Sequence, residues 1–439
     1  MLLPTDAYAA AGTLTVIASI VLVTCLPRQL LSKLFCGVSL GIERAGWAIT
    51  ASRLTSVGAT LFLLLLILIG LLGPTDPQSN LLPLTIWTVW WAGVFVTQGL
   101  VFDIWRWVNP WTGIASVFGL GEDPVLKLPD RLAAWPAVVV LILFQLFLLA
   151  DVAPSDPQRL GYIVLGYWAI SLIGIEVFGR RVWLERVECF TVMFRLIGSL
   201  RPYQAGDQLR IGFPGWAALK DIPLELSRAV FCLVILTGGS FDGVNETFWW
   251  LAKLGINPLE FPGRSAVVWS STVGLIGATI LLFMLFGMSI WIGLKIVHRR
   301  SQSDAIPLSH AFRMFAVTLL PIGLGYHFAH YLVTFMVQIK VTLSTASDPF
   351  VQGWNLFGLG AVKATVGFLS LPETVKTIWL TQAGVVVFSH VVSILMAHHI
   401  AHKLCRQPKD VVLVQVGLTG LMIAYTIFGL WLLASPRGA

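Results

Sequence analysis

The sequence has few charged residues for its length. Asp, Glu, Lys and Arg make up 12% of the 439 residues, whereas apolar residues make up 56% and the mean hydropathy is +0.82. A soluble domain carries about a quarter charged residues, because water must solvate its surface. The composition therefore excludes a water-soluble globule of this size and predicts a chain whose surface is largely covered by lipid.

Cysteine is also scarce, and the motifs of several enzyme classes are missing. The five cysteines show no CxxC or paired spacing, which argues against a disulfide framework or a cysteine–zinc site. No Walker loop, GxSxG elbow, HExxH motif or dinucleotide fingerprint occurs in a fitting context, which argues against ATP-driven and serine-based chemistry. The N-terminus lacks the basic region and cleavage site of a removable signal, so the first apolar stretch is predicted to be a retained helix.

Ten long apolar runs predict an all-α polytopic membrane bundle that forms a single transmembrane domain over residues 1–439. A helix needs about 20 apolar residues to cross the hydrocarbon core, and these runs have that length or nearly so. The predicted spans are Ala7–Leu26, Ser56–Gly73, Leu82–Phe102, Ala133–Ala150, Leu160–Phe178, Pro223–Gly239, Ala266–Leu294, Ala311–Gln338, Thr377–His402 and Val411–Ala434.

Lys and Arg are concentrated in the odd-numbered loops. These loops hold 21 of the 29 basic residues when Arg313 is counted with the seventh loop. The bias predicts that the odd loops are cytoplasmic and both termini extracytoplasmic, and it explains the net charge of +7 without a nucleic-acid partner. Residues 179–221 form a basic cytoplasmic loop, in which Glu185–Tyr203 mixes charge with an apolar face as an interfacial helix does.

Six of the eight histidines fall in the eighth and ninth spans. Ionisable residues inside a bilayer are costly and are therefore functional candidates. If the two helices are antiparallel neighbours, His327 and His390 lie at similar depth, His330 shares a helix face with His327, and His398 lies two turns nearer the cytoplasm. We predict that these four histidines bind a divalent transition metal such as zinc, copper or iron. The alternative is that they pack and hydrogen-bond across helices.

Acidic residues follow the sixth and eighth spans on the predicted outer side. Asp242 and Glu246 come after span six, and Asp348 comes after span eight, at a depth close to that of His330. An aspartate there could bind the metal, orient a histidine or act as a general base. We predict Asp242 and Asp348 as catalytic residues. The alternative for both is a turn cap, because FDG and SDP are common turn sequences.

Five segments, in order along the chain, resemble a group of bacterial membrane proteins identified as fenitrothion hydrolases. They are VNPW (Val108–Trp111), SFDG (Ser240–Gly243), GYHFAHY (Gly325–Tyr331), SDPF with GWNLFG (Ser347–Gly358) and SHVVSILMAHH (Ser389–His399). The resemblance implies a multi-pass protein of the bacterial inner membrane that hydrolyses phosphotriesters within a membrane complex. A second membrane or periplasmic subunit would then be its partner.

The first functional hypothesis is a membrane metalloprotein that hydrolyses apolar organophosphate-like esters. A bound divalent metal would acidify a water molecule, Asp242 or Asp348 would accept the proton, and an apolar small-molecule substrate would enter from the lipid bilayer. Three alternatives stay open. They are a redox subunit with haem b held between histidines of two helices, a secondary transporter of a metal ion or small anion, and a non-catalytic subunit of a membrane complex.

Overall fold

The fold is an all-α polytopic membrane bundle, as the composition predicts. The computed structural model describes residues 5–43, 46–257, 263–301, 306–358 and 367–435, and helices dominate these residues. Within them, eight helices are at least 18 residues long and apolar enough to cross a bilayer. A helix satisfies its backbone hydrogen bonds internally, which allows such apolar runs to lie in lipid.

The described helices and strands follow the predicted order of spans and loops. The helices are α1 (Thr5–Thr24), α2 (Arg28–Leu34), α3 (Trp47–Leu72), α4 (Leu81–Leu84), α5 (Phe95–Leu100), α6 (Trp105–Val108), α7 (Thr112–Phe118), α8 (Trp135–Ala150), α9 (Pro157–Phe178), α10 (Arg180–Arg186), α11 (Cys189–Gly198), α12 (Leu226–Asn245), α13 (Phe248–Lys253), α14 (Val268–Ser301), α15 (Leu308–Phe315), α16 (Leu319–Ser347), α17 (Pro372–Leu404), α18 (Pro408–Leu413) and α19 (Val416–Ala434). The strands are β1 (Val38–Glu43), β2 (Tyr203–Ala205) and β3 (Gln208–Ile211). A π-helix, Thr85–Val94, joins α4 to α5.

Each of the ten predicted spans coincides with a helix, but two differ in form from a straight crossing. The first is a pair, α1 and α2, bent by 114° at a short break. Pro27 stands at this break in an extended conformation (φ −64°, ψ 142°), which a proline favours and an α-helix cannot continue through. The predicted span Ala133–Ala150 is α8, whose 16 residues are fewer than a straight crossing needs.

The chain divides into two compact units. Unit 1 contains the described residues within Met1–Ile42, Ser199–His330 and Pro372–Ala439, and unit 2 those within Glu43–Gly198 and Tyr331–Leu371. The division falls inside α16, between His330 and Tyr331. Each unit is therefore assembled from segments that are distant in the sequence.

Small residues bring the helices of unit 1 close together. A Cβ atom added to Gly325 of α16 would lie 2.6 Å from the Cβ and Oγ atoms of Ser389 on α17. One turn away, the Gln382 amide of α17 donates a hydrogen bond of 2.6 Å to the Ala329 carbonyl of α16. The residue pairing runs in opposite directions along the two helices, so α16 and α17 pack antiparallel, as the sequence predicts. Glycine and serine allow this approach because they have little side-chain volume.

A small sheet in unit 1 lies between the helical segments. The strand order is β1-β3-β2, and β2 pairs antiparallel with β3. The Trp216 side chain is fully buried beside this sheet, and its indole nitrogen donates to the Pro202 carbonyl at 2.9 Å. A Cβ atom added to Gly37 or Gly212 would overlap the Trp216 ring. The tryptophan therefore requires glycine in both neighbouring segments.

Unit 2 contains a helix that the sequence places at the membrane interface. The segment Glu185–Tyr203 includes α11, in which most side chains are buried by protein. Phe190 lies with its ring centroid 4.7 Å from that of Trp90, and Phe194 lies 4.6 Å from Trp105. The apolar face of α11 therefore packs against aromatic side chains of the same unit.

Candidate metal centre

The candidate site forms where α12 ends and α13 begins. Residue Glu246 lies alone between them, because α12 ends at Asn245 and Thr247 caps α13 by accepting from the Trp250 backbone N–H at 3.2 Å. The Asn245 side chain accepts a hydrogen bond of 2.9 Å from Ser271 of α14. These contacts hold the short connection in a defined position.

A second set of contacts aligns α12 with α16 and α19. Ser240 of α12 and Tyr425 of α19 share a hydrogen bond of 2.5 Å. A Cβ atom added to Gly243 would lie 3.5 Å from the Tyr326 hydroxyl of α16. Tyr326 thus lies within contact distance of α12, and the next turn of α16 carries His330, which lies beside Asp242.

Three potential metal ligands meet at this place. The His330 Nε2 atom lies 3.0 Å from Asp242 Oδ2, and the two side chains are 7% and 11% exposed. One ligand atom each from Asp242, Glu246 and His330 lies within 4.8 Å of the others. In the part of the chain that the structure describes, no other group of three His, Cys, Asp or Glu residues meets this spacing.

The charge balance of the group favours a cation. Two carboxylates lie close together here, one on the buried Asp242 and one on the more exposed Glu246. Like charges at this separation repel, and burial makes the repulsion stronger. A proton on His330 offsets one charge, whereas a divalent ion would offset both. Glu246 is more exposed than Asp242, so the group opens toward solvent on the glutamate side.

The other predicted histidines do not belong to this group. His327 is buried on α16, one turn before His330. His390 is fully buried on α17, and its Nδ1 atom lies 2.8 Å from the Val386 carbonyl. The Nδ1 atom of His398 lies 2.9 Å from the Gln415 amide nitrogen, and its ring lies 4.7 Å from that of His402. The predicted set of four histidine ligands is therefore not one cluster in this structure, because matching depth along two helices leaves the direction of each ring open.

The two ring nitrogens of His390 differ in their hydrogen bonding. A carbonyl oxygen can only accept, so Nδ1 must carry the proton that bonds to Val386. The Nε2 atom is fully buried and has no hydrogen-bond partner among the described residues. The Nε2 atom of His402 and the indole nitrogens of Trp87, Trp183 and Trp250 are also buried without a partner among the described residues.

Asp348 caps a turn. Its carboxylate accepts from the backbone N–H groups of Gln352 at 2.8 Å and Gly353 at 2.6 Å. This is the turn role that the SDP sequence offers as an alternative to catalysis. Asp348 belongs to unit 2, whereas Asp242 and His330 belong to unit 1.

The structure thus brings together Asp242, a predicted catalytic residue, and His330, a predicted metal ligand. Glu246 is the third member of the group. The signal for Glu246 is its spacing of four residues from Asp242, which puts the two carboxylates on one side of a helix end. No protein-family model matches the chain, and neither a curated protein nor a solved structure is significantly similar to it.

Proposed function

We propose that the protein is a membrane metalloprotein in which Asp242, Glu246 and His330 bind a divalent transition-metal ion. The observation that carries this proposal is the convergence of their ligand atoms within 4.8 Å. Two carboxylates and one imidazole form a donor set that suits zinc, iron or manganese. Three protein ligands leave a coordination position open, which is typical of catalytic and not of structural sites.

The reaction class that fits such a site best is hydrolysis of an apolar phosphotriester or a similar ester. A bound divalent ion would supply an acidified water and polarise the phosphoryl oxygen. Glu246 is the side chain best placed to accept the proton, because it is the more exposed carboxylate. Asp242 Oδ2 and His330 Nε2 lie 3.0 Å apart, so one ion would contact both atoms in place of the contact between them. An apolar substrate would dissolve in the bilayer, and the resemblance to fenitrothion hydrolases supports this substrate class.

Metal content tests the proposal directly. The full chain, purified in detergent and dialysed against zinc or manganese, should retain a stoichiometric ion, as measured by inductively coupled plasma mass spectrometry. Asp242→Asn and His330→Ala should each lower the metal affinity about a hundredfold or more, because loss of an outer-shell partner alone costs 10–100-fold. His310→Ala, at an exposed histidine of α15, is the matched control and should leave the metal content unchanged.

Hydrolysis is tested on the same samples with a nitrophenyl phosphotriester. Product release should stop after chelation and return when the metal is restored. Asp348→Asn should keep the activity if Asp348 only caps its turn. A wild-type chain that holds no metal at saturating concentration would contradict the metal proposal, whereas metal binding without turnover would contradict only the hydrolase.

Proton-coupled transport of a metal ion is a second candidate, and the orphaned Nε2 atom of His390 favours it. Three polar side chains, Gln382, His390 and His398, are spaced along the spanning helix α17. A transporter needs polar groups within its spans to bind or relay an ion. Uptake of zinc into proteoliposomes should then depend on an imposed pH gradient and be lost in His390→Phe. A visible spectrum of the same preparation decides the redox alternative, because haem b gives a Soret band.

A further inference from the structure

Three segments of unit 1 form one exposed surface that is rich in basic residues. Residues 28–42, 199–221 and 398–410 together contain eight Lys or Arg and three acidic residues, Asp207, Asp221 and Asp410, and a fourth acidic residue, Glu43, directly follows the first segment. Seven of these basic side chains are exposed. Five of the seven are called the basic surface: Arg28, Lys33, Arg210, Lys220 and Lys403.

Direct contacts join the three segments. The Arg210 guanidinium donates to the Gly37 carbonyl at 2.9 Å, and the Lys403 ammonium donates to the Leu219 carbonyl at 3.4 Å. The Phe35 ring at the end of α2 lies 5.2 Å from the His399 ring of α17. The basic surface is therefore a single built feature of unit 1.

Two cations of the basic surface share one buried aromatic ring. The Lys220 ammonium lies 4.1 Å from the centre of the Trp216 ring, and the Arg210 guanidinium lies 6.0 Å from it. Partial burial and the Arg210 charge lower the pKa of Lys220, although Asp221 acts in the opposite direction. Two like charges held this close favour an anion that contacts both.

The basic surface lies where two spanning helices end. The α1 helix ends at Thr24, and the 114° bend turns α2, with Arg28 and Lys33, across its direction. The α17 span ends at Leu404, next to Lys403. A helix that runs across the end of a span lies at the level of the lipid headgroups. The anion at this level is the phosphate of a phospholipid.

We propose that the basic surface binds the headgroup of an anionic phospholipid, with Lys220 and Arg210 contacting its phosphate beside Trp216. The exposed leucine of α2, Leu30, would enter the acyl region next to it. This binding site is separate from the candidate metal centre, so its test is independent of the metal and of hydrolysis.

The test is a lipid titration of the full chain in a neutral detergent, with bound lipids counted by native mass spectrometry. Dioleoyl phosphatidylglycerol should bind more tightly than dioleoyl phosphatidylcholine. The double variant Arg210→Gln with Lys220→Gln should bind phosphatidylglycerol about 30-fold more weakly, because each cation near an anionic lipid surface contributes about fivefold. Arg210→Lys with Lys220→Arg should restore most of the binding.

The matched control removes two exposed cations elsewhere in unit 1. Arg299→Gln with Arg300→Gln, at the end of α14, should bind the lipid like the wild type. If the first double variant does not fold, Arg28→Gln with Lys33→Gln on α2 replaces it, with the same expected loss. Equal binding of the two lipids, or unchanged binding in the variants, would overturn the proposal. Displacement of the lipid by glycerol 1-phosphate at equal concentration would assign the surface to a soluble phosphate ligand instead.

Discussion

Glu188 and Asp242 are both buried, but different groups surround their carboxylates. Glu188, in unit 2, accepts hydrogen bonds from the Tyr167 hydroxyl at 2.6 Å and from the backbone N–H groups of Phe190 at 3.0 Å and Thr191 at 2.6 Å. The chain itself supplies these three hydrogen-bond donors, at the N-terminus of α11. Asp242 lies beside a second carboxylate, that of Glu246, and beside His330. The first arrangement is a structural cap, whereas the second favours a bound cation.

Substitution of Glu188 should reveal this cap as a pH-dependent contribution to stability. Burial raises the pKa of Glu188, although its hydrogen bonds act in the opposite direction. The folded state therefore favours the protonated carboxyl, so this contribution is present in acid and is lost as the pH rises through the raised pKa. Glu188→Gln should remove that pH dependence. The apparent unfolding temperature in detergent, followed by tryptophan fluorescence over the acidic range, measures it.

Glu188→Ala is the companion variant. It leaves the Tyr167 hydroxyl and two backbone N–H groups without their acceptor, and each unsatisfied buried group costs about 1–3 kcal/mol. The unfolding temperature should therefore fall further than in Glu188→Gln at every pH. Equal values for the two variants, together with an unchanged pH profile, would show that the carboxyl is not buried as described.

At the scale of elements, the crossing of α14 and α19 in unit 1 depends on glycine. A Cβ atom added to Gly417 of α19 would overlap the Ser289 backbone of α14, and one added to Gly293 of α14 would overlap the Val414 backbone. The two helices approach each other at backbone distance. No side chain of any size fits there, so the crossing is a steric requirement.

Gly417→Leu should therefore separate α14 from α19 and destabilise the bundle. We expect a large loss of folded protein, because overlap with a backbone cannot be relieved by a rotamer change. Gly420→Leu is the matched control, since nothing lies within 4 Å of a Cβ atom at that position of the same helix. Fluorescence-detected size-exclusion chromatography measures the folded fraction. Similar profiles for the two variants would contradict this crossing.

The helical spans could be predicted because a long apolar run has one stable form in a bilayer, whereas details of their shape could not. The predicted first span ends at Leu26, just before Pro27, but hydropathy did not show that a second helix, α2, follows at an angle of 114°. The burial of α11 was missed for another reason. An amphipathic pattern shows that one face is apolar, but it does not show whether lipid or protein covers that face, and here Phe190 and Phe194 meet tryptophans.

At the scale of the whole molecule, the candidate site joins residues that are far apart in the sequence. Depth along the spans predicted that Asp242, Glu246 and Asp348 lie near the level of His330. The structure brings Asp242 and Glu246 beside His330. Depth could not select His330 over His327 or His390, because it does not determine the rotation of a helix about its axis. That rotation comes from the packing of α12 against α16, where Gly243 faces Tyr326. To predict this contact from the sequence, one would have to know which helix packs against α12.

At the same scale, the basic residues of the odd loops predict the orientation of the chain in the membrane, and an exposed thiol makes that prediction testable. Cys36 is exposed in the first loop, which the charge bias places in the cytoplasm. A variant in which Cys36 is the only cysteine should resist a membrane-impermeant maleimide in intact bacterial cells and react after the membrane is opened. Gln78→Cys in the same background, at an exposed position of the second loop, should react in intact cells. The reverse pattern would place both termini in the cytoplasm. It would also place the candidate metal centre on the cytoplasmic side, because Glu246, like Gln78, lies in an even-numbered loop.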